Sequence, residues 1–173
     1  MIPVAVITHF LKDIEDSKYD GFPSLEVSGQ NMENLSLRLK YHMSNEQTGV
    51  LITYVPPGSA AQEILRPGDV VLSIDGKTIE NDATIRFRDN ERISAVYVIH
   101  SKFIGDLVKC RFLRDGKIHD VDITLKDKVD STRLVPNMHY DKTPTYYILG
   151  GLVFQPLTWN YIKIWEKLAD APN

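Results

Sequence analysis

Strict alternation of apolar and polar residues predicts a β-hairpin between Gly105 and Leu125. The inward positions on the two strands are Val108, Cys110 and Phe112, then Val121, Ile123 and Leu125. Between the strands, Asp115 and Gly116 have the composition of a type I′ turn. The pattern therefore places Cys110 in the core as a small apolar side chain rather than as a nucleophile.

Three other segments repeat apolar residues at helical spacing. Residues 2–14 put Val6 and Phe10 on one face and begin at Pro3, a residue common in the first turn of helices. Residues 33–43 form a second helical segment, for which Asn34 is the candidate N-cap. Residues 92–103 are apolar on two sides, with Ile93, Val96, Tyr97 and His100 on one stripe and Ala95, Val98, Ile99 and Lys102 roughly opposite. Such a helix must be covered on both sides or expose an apolar patch.

The centre of the chain, residues 49–79, alternates strands with Pro-Gly turns. A β-branched run over 49–55 ends at Pro56-Pro57-Gly58, and Ser59 is a candidate N-cap for a short helix over 60–65. A Pro-Gly-Asp turn at 67–69 leads into a buried strand over 70–74. Upstream, Ser24–Ser28 alternates like a strand, whereas residues 80–91 show the least regular pattern of the first domain.

These residues carry a family resemblance. The segment GVLITYVPPGSAAQEILRPGDVVLSIDGKTI, and above all GDVVLSIDG at 68–76, resembles the centre of a PDZ domain in the circularly permuted form found in HtrA/Deg (protease Do-like) serine proteases. Residues 146–158, YYILGGLVFQPLT, resemble the opening of the second PDZ-like domain of plant-type Deg proteases. The resemblance implies an α+β, mainly β fold: a permuted, partly open PDZ-like β-barrel with flanking helices, plus the start of a second such domain.

The same resemblance implies a domain plan. Residues 1–17 are expected to be a linker helix leaving a protease domain that this chain does not contain, and 18–126 the PDZ domain. Residues 127–143 are expected to be a linker, and 144–173 the N-terminal part of the second PDZ-like domain. The alternative for the N-terminal segment is a native N-terminal helix that caps the sheet. Because 144–173 is apolar and short of a whole domain, we expect it to pack on the first domain or to drive self-association.

A peptide groove is the site that the resemblance implies. One wall is expected from the loop and strand around 22–28 and the other from the helix over 92–103, with an extended peptide added as an antiparallel strand. The expected peptide-binding residues are Phe22, Pro23, Ser24, Leu25, Glu26, Val27, Ile93, Val96, Tyr97 and His100. Glu26 departs from the family pattern, which commonly has Gly there, and its carboxylate would repel a peptide C-terminus. Binding of internal segments, or a purely structural oligomerisation module with an occluded groove, is therefore the alternative.

Arginines concentrate in the irregular stretch before the predicted groove helix. Arg86, Phe87, Arg88 and Arg92 resemble a similar excursion in plant-type Deg proteins, and they are candidates for contact with a protease domain or a neighbouring subunit. The alternative is a solvated loop in which the arginines pair with Asp82, Asp89 and Glu91, at little gain in stability.

Composition and charge narrow the classes of partner that the chain is expected to bind. Net charge of −3 over 173 residues gives no attraction to nucleic acid or to an anionic membrane, and no segment is apolar for long enough to span one. One cysteine excludes an intrachain disulfide, and the five histidines lack metal-ligand spacing, so we expect no metal and no cofactor. The compartment stays open.

The catalytic residues are expected in another part of the parent protein. The sequence has neither a Gly-x-Ser-x-Gly elbow nor the Gly-Asn-Ser-Gly-Gly string of trypsin-like Deg enzymes. We therefore expect no enzymatic activity of this chain, while the resemblance implies that the parent is a serine endopeptidase. The expected partners are peptides or unfolded protein segments, the parent's protease domain, and further copies of the chain.

Overall fold

The computed structural model describes residues 4–126, 135 and 143–169, and the chain divides into two compact units, 1–128 and 129–173. The first unit contains α1 (Val4–Asp13), β1 (Ser28–Asn31), α2 (Leu35–Lys40), β2 (Val50–Tyr54), β3 (Val70–Ile74), β4 (Lys77–Thr78), β5 (Thr84–Arg88), β6 (Glu91–Ser94), α3 (Val96–His100), β7 (Leu107–Arg114) and β8 (Lys117–Thr124). The second contains β9 (Tyr147–Leu149), β10 (Leu152–Phe154) and α4 (Trp159–Ala169). The expectation of a mainly β fold is confirmed.

An open antiparallel sheet forms the body of the first unit. Its strands follow the order β1-β2-β3-β7-β8, with β4 paired to β3 outside this path. The sheet leaves β1 on one edge and β8 on the other, while β5 and β6 pair only with each other as a separate ribbon. The edge position of β1 matters for function because an edge strand presents unpaired backbone groups to an incoming chain.

The hairpin predicted from alternation is confirmed. Strands β7 and β8 pair over their whole length, and Asp115 and Gly116 both have positive φ (49° and 74°), as a type I′ turn requires. The inward side chains Cys110 and Phe112 are buried, and Ile123 is completely so. They pack with residues of β3 and α3 in one core cluster, so burial of the alternating face explains why this hairpin anchors the sheet.

A buried ion pair ties the turn before β3 to the end of β7. Arg114 donates from Nε and Nη2 to the two carboxylate oxygens of Asp69, both at 2.7 Å, and also from Nη2 to the carbonyl of Ile64 at 2.9 Å. The backbone N–H of Arg66 donates to the same carboxylate at 2.7 Å. Asp69 is 1% exposed, so its charge is stable in the core only because these donors replace water.

His9 packs helix α1 against the rest of the first unit. The ring of His9 lies between Phe22 and Phe103, with centroid distances of 4.4 and 4.3 Å, and Nε2 donates to the carbonyl of Lys102 at 2.8 Å. The predicted helix is confirmed; Val6 and Phe10, which share one face of it, are exposed, whereas His9 is buried. Helical spacing identified the helix, and ring stacking decided which side faces the domain.

Two predicted elements around the groove are wrong. Ser24–Ser28 is not a strand: Ser24 makes an isolated bridge to Lys126, and the strand begins only at Ser28. The predicted helix over 92–103 is confined to Val96–His100, because Arg92–Ser94 belong to β6 and pair with β5. The irregular loop predicted over 80–91 likewise contains strand β5, so the Arg-rich excursion is a hairpin.

Two shorter helical predictions had different outcomes. Ser59 does not cap a helix: residues 57–64 form turns, and the buried Oγ of Ser59 has no partner among the described residues. In contrast, Asn34 is the predicted N-cap of α2, its side chain accepting from the N–H groups of Ser36 and Leu37 at 2.9 and 3.2 Å.

The second unit is a hairpin followed by a helix. Strands β9 and β10 join at Gly150 and Gly151, which both have positive φ, and α4 begins at Trp159. Every residue of β9 and β10 is exposed, and in α4 the ring of Tyr161 contacts that of Trp165 at 6.0 Å.

Candidate functional site

A cavity of about 280 Å³ opens between strand β1 and helix α3. Its wall on the strand side is formed by Ser24, Leu25, Glu26, Val27, Gly29 and Asn31, and its wall on the helix side by Ala83, Ser94, Ala95, Val96, Ile99 and His100. The floor consists of core side chains: Val50, Ile52, Leu65, Val71, Ile74 and Ile79. The cavity is thus a mainly apolar slot that runs beside an edge strand and reaches the hydrophobic core, a shape suited to apolar side chains of an extended ligand.

Strand β1 and the loop before it line the cavity in different ways. Within β1, Gly29 and Asn31 line it and are spaced two residues apart, as residues on one face of a strand must be, whereas the consecutive loop residues 24–27 all line it. At Gly29 a Cβ would lie 2.6 Å from Cγ1 of Val50, so only glycine permits the close approach of β1 to β2 there. Gly29 and Asn31 were missed from the sequence because a polar, exposed edge strand carries no apolar alternation.

The loop before β1 has an unusual backbone. Glu26 has a φ of 50°, in the left-handed region that glycine adopts without strain, and it lies at the position where the resembled family commonly has glycine. Its N–H donates to Oγ of Ser24 at 3.0 Å, and the N–H of Ser24 donates to the carbonyl of Lys126 at 3.3 Å. Two amides of this loop are therefore already engaged within the domain.

A carboxylate of α1 engages the start of the same loop. Oδ2 of Asp13 accepts from the N–H groups of Asp20 and Gly21, at 3.1 and 2.9 Å. Gly21 has a φ of 87°, which lets successive amides of the turn point toward one acceptor. The loop thus binds an anion already, and the anion belongs to the chain itself.

The helix wall differs from the predicted stripe. Val96 and His100 line the cavity as expected, but Ile99, predicted on the opposite side, lines it as well. Ile93 lies in β6 and packs against the core cluster, and Tyr97 points to Phe87, with ring centroids 5.6 Å apart. The stripe changes because the helix begins only at Val96.

Phe22 and Pro23 support the loop without lining the cavity. Pro23 is fully buried, and Phe22 stacks on His9 on one side while its ring lies 5.8 Å from that of His100 on the other. Of the ten expected peptide-binding residues, the structure brings six to the cavity: Ser24, Leu25, Glu26, Val27, Val96 and His100.

The candidate contact residues lie on the β5–β6 ribbon. Arg92 pairs with Asp82 at 3.2 Å and with Glu80 at 3.8 Å, and hydrogen bonds from Thr84 together with Arg92 lower the pKa of the Asp82 carboxyl. Arg88 lies 3.6 Å from Glu91 and 5.1 Å from the ring centre of the exposed Phe87, and Arg86 donates to the carbonyl of Asp89 at 3.3 Å. The ribbon presents one aromatic ring among arginines.

The chemistry open to the described part of the chain depends on its potential metal ligands and its single thiol. Within residues 4–126, 135 and 143–169, no three His, Cys, Asp or Glu side chains cluster as metal ligands do. Burial, helped by the carboxylates of Asp69 and Asp120, raises the pKa of the Cys110 thiol to about 12, which keeps it protonated and unreactive. Among the helices that the structure describes, none is both long enough and apolar enough to cross a membrane.

Comparison with known proteins agrees with this architecture. A family model described as a PDZ domain matches residues 29–125, more than half of the chain, and a second PDZ domain model matches residues 135–173. Among solved structures, the HtrA-type protease AlgW with decapeptide superposes with a TM-score of 0.51 at 18% identity, covering 73% of this chain and 36% of that one. A variant of AlgW with decapeptide gives a TM-score of 0.54. At this identity the likeness shows the fold.

Several curated proteins match nearly the whole chain. Protease Do-like 4, mitochondrial, of Arabidopsis thaliana is 44% identical over 163 residues, covering 94% of this chain and 31% of that protein. Protease Do-like 2, chloroplastic, of the same plant is 38% identical over 172 residues, covering 99% of this chain and 27% of that protein. The chain spans less than a third of the length of these two relatives. The chain therefore belongs to the PDZ domain family, as a PDZ region of the HtrA/Deg protease type.

Proposed function

We propose that the first unit binds peptide or unfolded protein segments by β-strand addition to β1. The observation that carries the proposal is the cavity between β1 and α3, which is open, mainly apolar and placed beside an exposed sheet edge. An extended segment would pair its backbone with the outer edge of β1, and every second side chain would enter the slot. AlgW, whose fold is similar, has been solved with a decapeptide, and this supports the proposal.

The expected affinity is modest. A single extended segment on one strand buries little area compared with a stable protein–protein interface, and ordering the segment costs entropy. A dissociation constant on the order of micromolar, corresponding to roughly −8 kcal/mol, is the expectation. Such binding suits repeated capture and release of substrate segments.

Backbone methylation of the ligand tests strand addition directly. In an added strand, alternate N–H groups of the peptide point toward β1 and the others point to solvent. Two short apolar peptides are compared by fluorescence anisotropy with the whole chain, each N-methylated on one of the two alternating sets of residues. The proposal requires that one set abolishes binding while the other leaves it intact. Equal affinity of both peptides would exclude pairing with β1.

The competing proposal is a structural module whose groove takes no free peptide. It is supported by Glu26, whose carboxylate lies in the loop, and by loop amides that already have acceptors within the chain. A peptide titration distinguishes the two proposals. Absence of binding across a random peptide library, at concentrations far above micromolar, would favour the structural role.

For the parent protein, we propose a serine endopeptidase that this region regulates or helps to assemble, with the arginines of the β5–β6 ribbon contacting the protease domain or a neighbouring subunit. The curated relatives, named as Do-like proteases, support the first part. The proposed plan assigns 1–17 to a linker helix, 18–126 to the PDZ domain, 127–143 to a linker and 144–173 to the start of a second PDZ-like domain, which the match from residue 135 supports. Casein cleavage by the parent but not by this chain is the expected result.

A further inference from the structure

We propose that the groove selects an internal peptide segment with a Lys or Arg side chain beside Glu26, and discriminates against a free C-terminal carboxylate. This rests on the proposed strand addition and names its ligand class. Of the described residues that line the cavity, Glu26 is the only Asp, Glu, Lys or Arg. An apolar slot whose lining includes one acidic residue has the charge complementarity for an apolar segment that carries one cation.

Among the residues that the structure describes, none forms an ion pair with the carboxylate of Glu26. The residue is half-buried, and none of the ion pairs or side-chain hydrogen bonds between described residues involves its carboxylate. A partly buried carboxylate without a partner gains most from a cation that arrives with its own hydrogen-bond donors. A bound lysine ammonium or arginine guanidinium supplies both.

In the same loop, the C-terminal carboxylate of a peptide would meet amides that already have acceptors and a side chain of like charge. The amides of Ser24 and Glu26 donate to Lys126 and to Ser24 Oγ, and those of Asp20 and Gly21 donate to Asp13. An incoming carboxylate would have to displace one of these acceptors while approaching the like charge of Glu26. Glu26 lines the cavity although its left-handed backbone, with a φ of 50°, is strained for a non-glycine residue.

The test uses three short peptides of the same apolar sequence, titrated against the whole chain by fluorescence anisotropy. The first has a central lysine and an amidated C-terminus, the second norleucine in place of lysine with the same amide, and the third norleucine with a free carboxylate. We expect the lysine peptide to bind about tenfold more tightly than the norleucine amide, and the free carboxylate to bind most weakly. Added salt should reduce the lysine preference.

Variants locate the preference at Glu26. Glu26→Gln should remove the preference for lysine, and Glu26→Gly, which relaxes the backbone and removes the charge, should raise the affinity for the free carboxylate. Glu46→Gln makes the same charge change at an exposed residue outside the cavity and should leave all three affinities unchanged. Thermal unfolding checks that each variant is folded.

Different results would refute the ligand preference and the peptide binding on which it rests. Binding of all three peptides with equal affinity, tighter binding of the free carboxylate to the unsubstituted chain, or a lysine preference that persists in Glu26→Gln would overturn the inference and leave strand addition standing. If none of the peptides binds to any variant, including Glu26→Gly, the proposed peptide binding itself fails.

Discussion

Replacement of Arg114 by methionine should destabilise the first unit far more than the same replacement at Arg111. Both arginines lie on β7 and both contact an aspartate through two nitrogens: Arg114 contacts Asp69 at 2.7 Å twice, and Arg111 contacts Asp120 at 2.7 and 3.0 Å. The pairs differ in burial, since the side chain of Asp69 is 2% exposed and that of Asp120 is 64% exposed. The comparison therefore isolates burial while geometry and charge stay nearly constant.

The structure gives the size of the effect at Arg114. Methionine fills most of the volume, so the main loss is the charge partner of Asp69, which keeps only the N–H of Arg66 as a donor. Breaking a buried ion pair by removing one partner costs roughly 3–5 kcal/mol. Because 26% of the Arg114 side chain is exposed, water can replace part of the lost contact, and we expect about 3 kcal/mol. That corresponds to a fall in melting temperature of roughly 10 °C.

Urea denaturation followed by circular dichroism measures the free energy of unfolding of both variants. Arg111→Met should lie within the error of the unsubstituted chain, because water screens its pair. Adding Asp69→Asn to Arg114→Met should recover part of the loss, since no uncompensated charge then remains in the core. Equal losses in Arg114→Met and Arg111→Met would refute the argument that burial of the Asp69 carboxylate decides the energy.

Four further outcomes are expected. Cys110, with its pKa raised from the ordinary 9.0 to about 12, should resist alkylation by iodoacetamide at pH 8 until the chain unfolds. Only the unfolded thiol ionises between these two pKa values, so the contribution of Cys110 to the free energy of unfolding is fully present below pH 9 and should fall as the pH rises toward 12. Cys110→Val should remove this fall, and a free energy of unfolding that falls equally in the variant would contradict the prediction. His9→Ala should cost about 2 kcal/mol, from two ring contacts and a hydrogen bond, and should speed amide exchange in α1, whereas exchange at the unsubstituted rate would contradict the anchoring role. The chain should self-associate in light scattering through exposed Ile148 and Leu152, so that serine at both positions lowers the mass; a strictly monomeric mass of the unsubstituted chain at high concentration would contradict this.

Local patterns predicted the elements that depend on local physics. The β7–β8 hairpin follows from alternation around Asp115-Gly116, and the start of α2 from the side chain of Asn34, because each signal acts within a few residues of the chain. The family resemblance supplied the two walls of the groove. Six of its ten expected residues line the cavity, so the location of the candidate site was accessible before the structure was known.

The errors lie where distant pairing decides the conformation. Ile93 has helical spacing to Val96 and Tyr97, but it pairs with Ile85 of β5, and that non-local pairing delays the helix to Val96. Strand pairing of this kind overrides local propensity and leaves no signature in a single sequence. The short helix predicted over 60–65 is wrong for a different reason: Oγ of Ser59 makes no capping hydrogen bond among the described residues, whereas Asn34 caps α2, a helix of similar length.

Glu26 shows most clearly which features of the site a single sequence does not predict. The residue type suggested repulsion of a peptide terminus, but its left-handed backbone and the engagement of its amide by Ser24 are tertiary facts. Only the structure shows that the loop amides at 20, 21, 24 and 26 already have acceptors. The proposed charge preference of the groove therefore depends on tertiary contacts of Glu26 that its residue type alone does not reveal.

Hydrogen exchange measured residue by residue, with and without a bound apolar peptide, tests strand addition most directly. If an extended segment pairs with the outer edge of β1, amides within Ser28–Asn31 should gain protection on binding, and those of β8 on the opposite edge should not. Protection confined to β8 or to other parts of the chain, with β1 exchanging at its free rate while peptide is bound, would contradict the account.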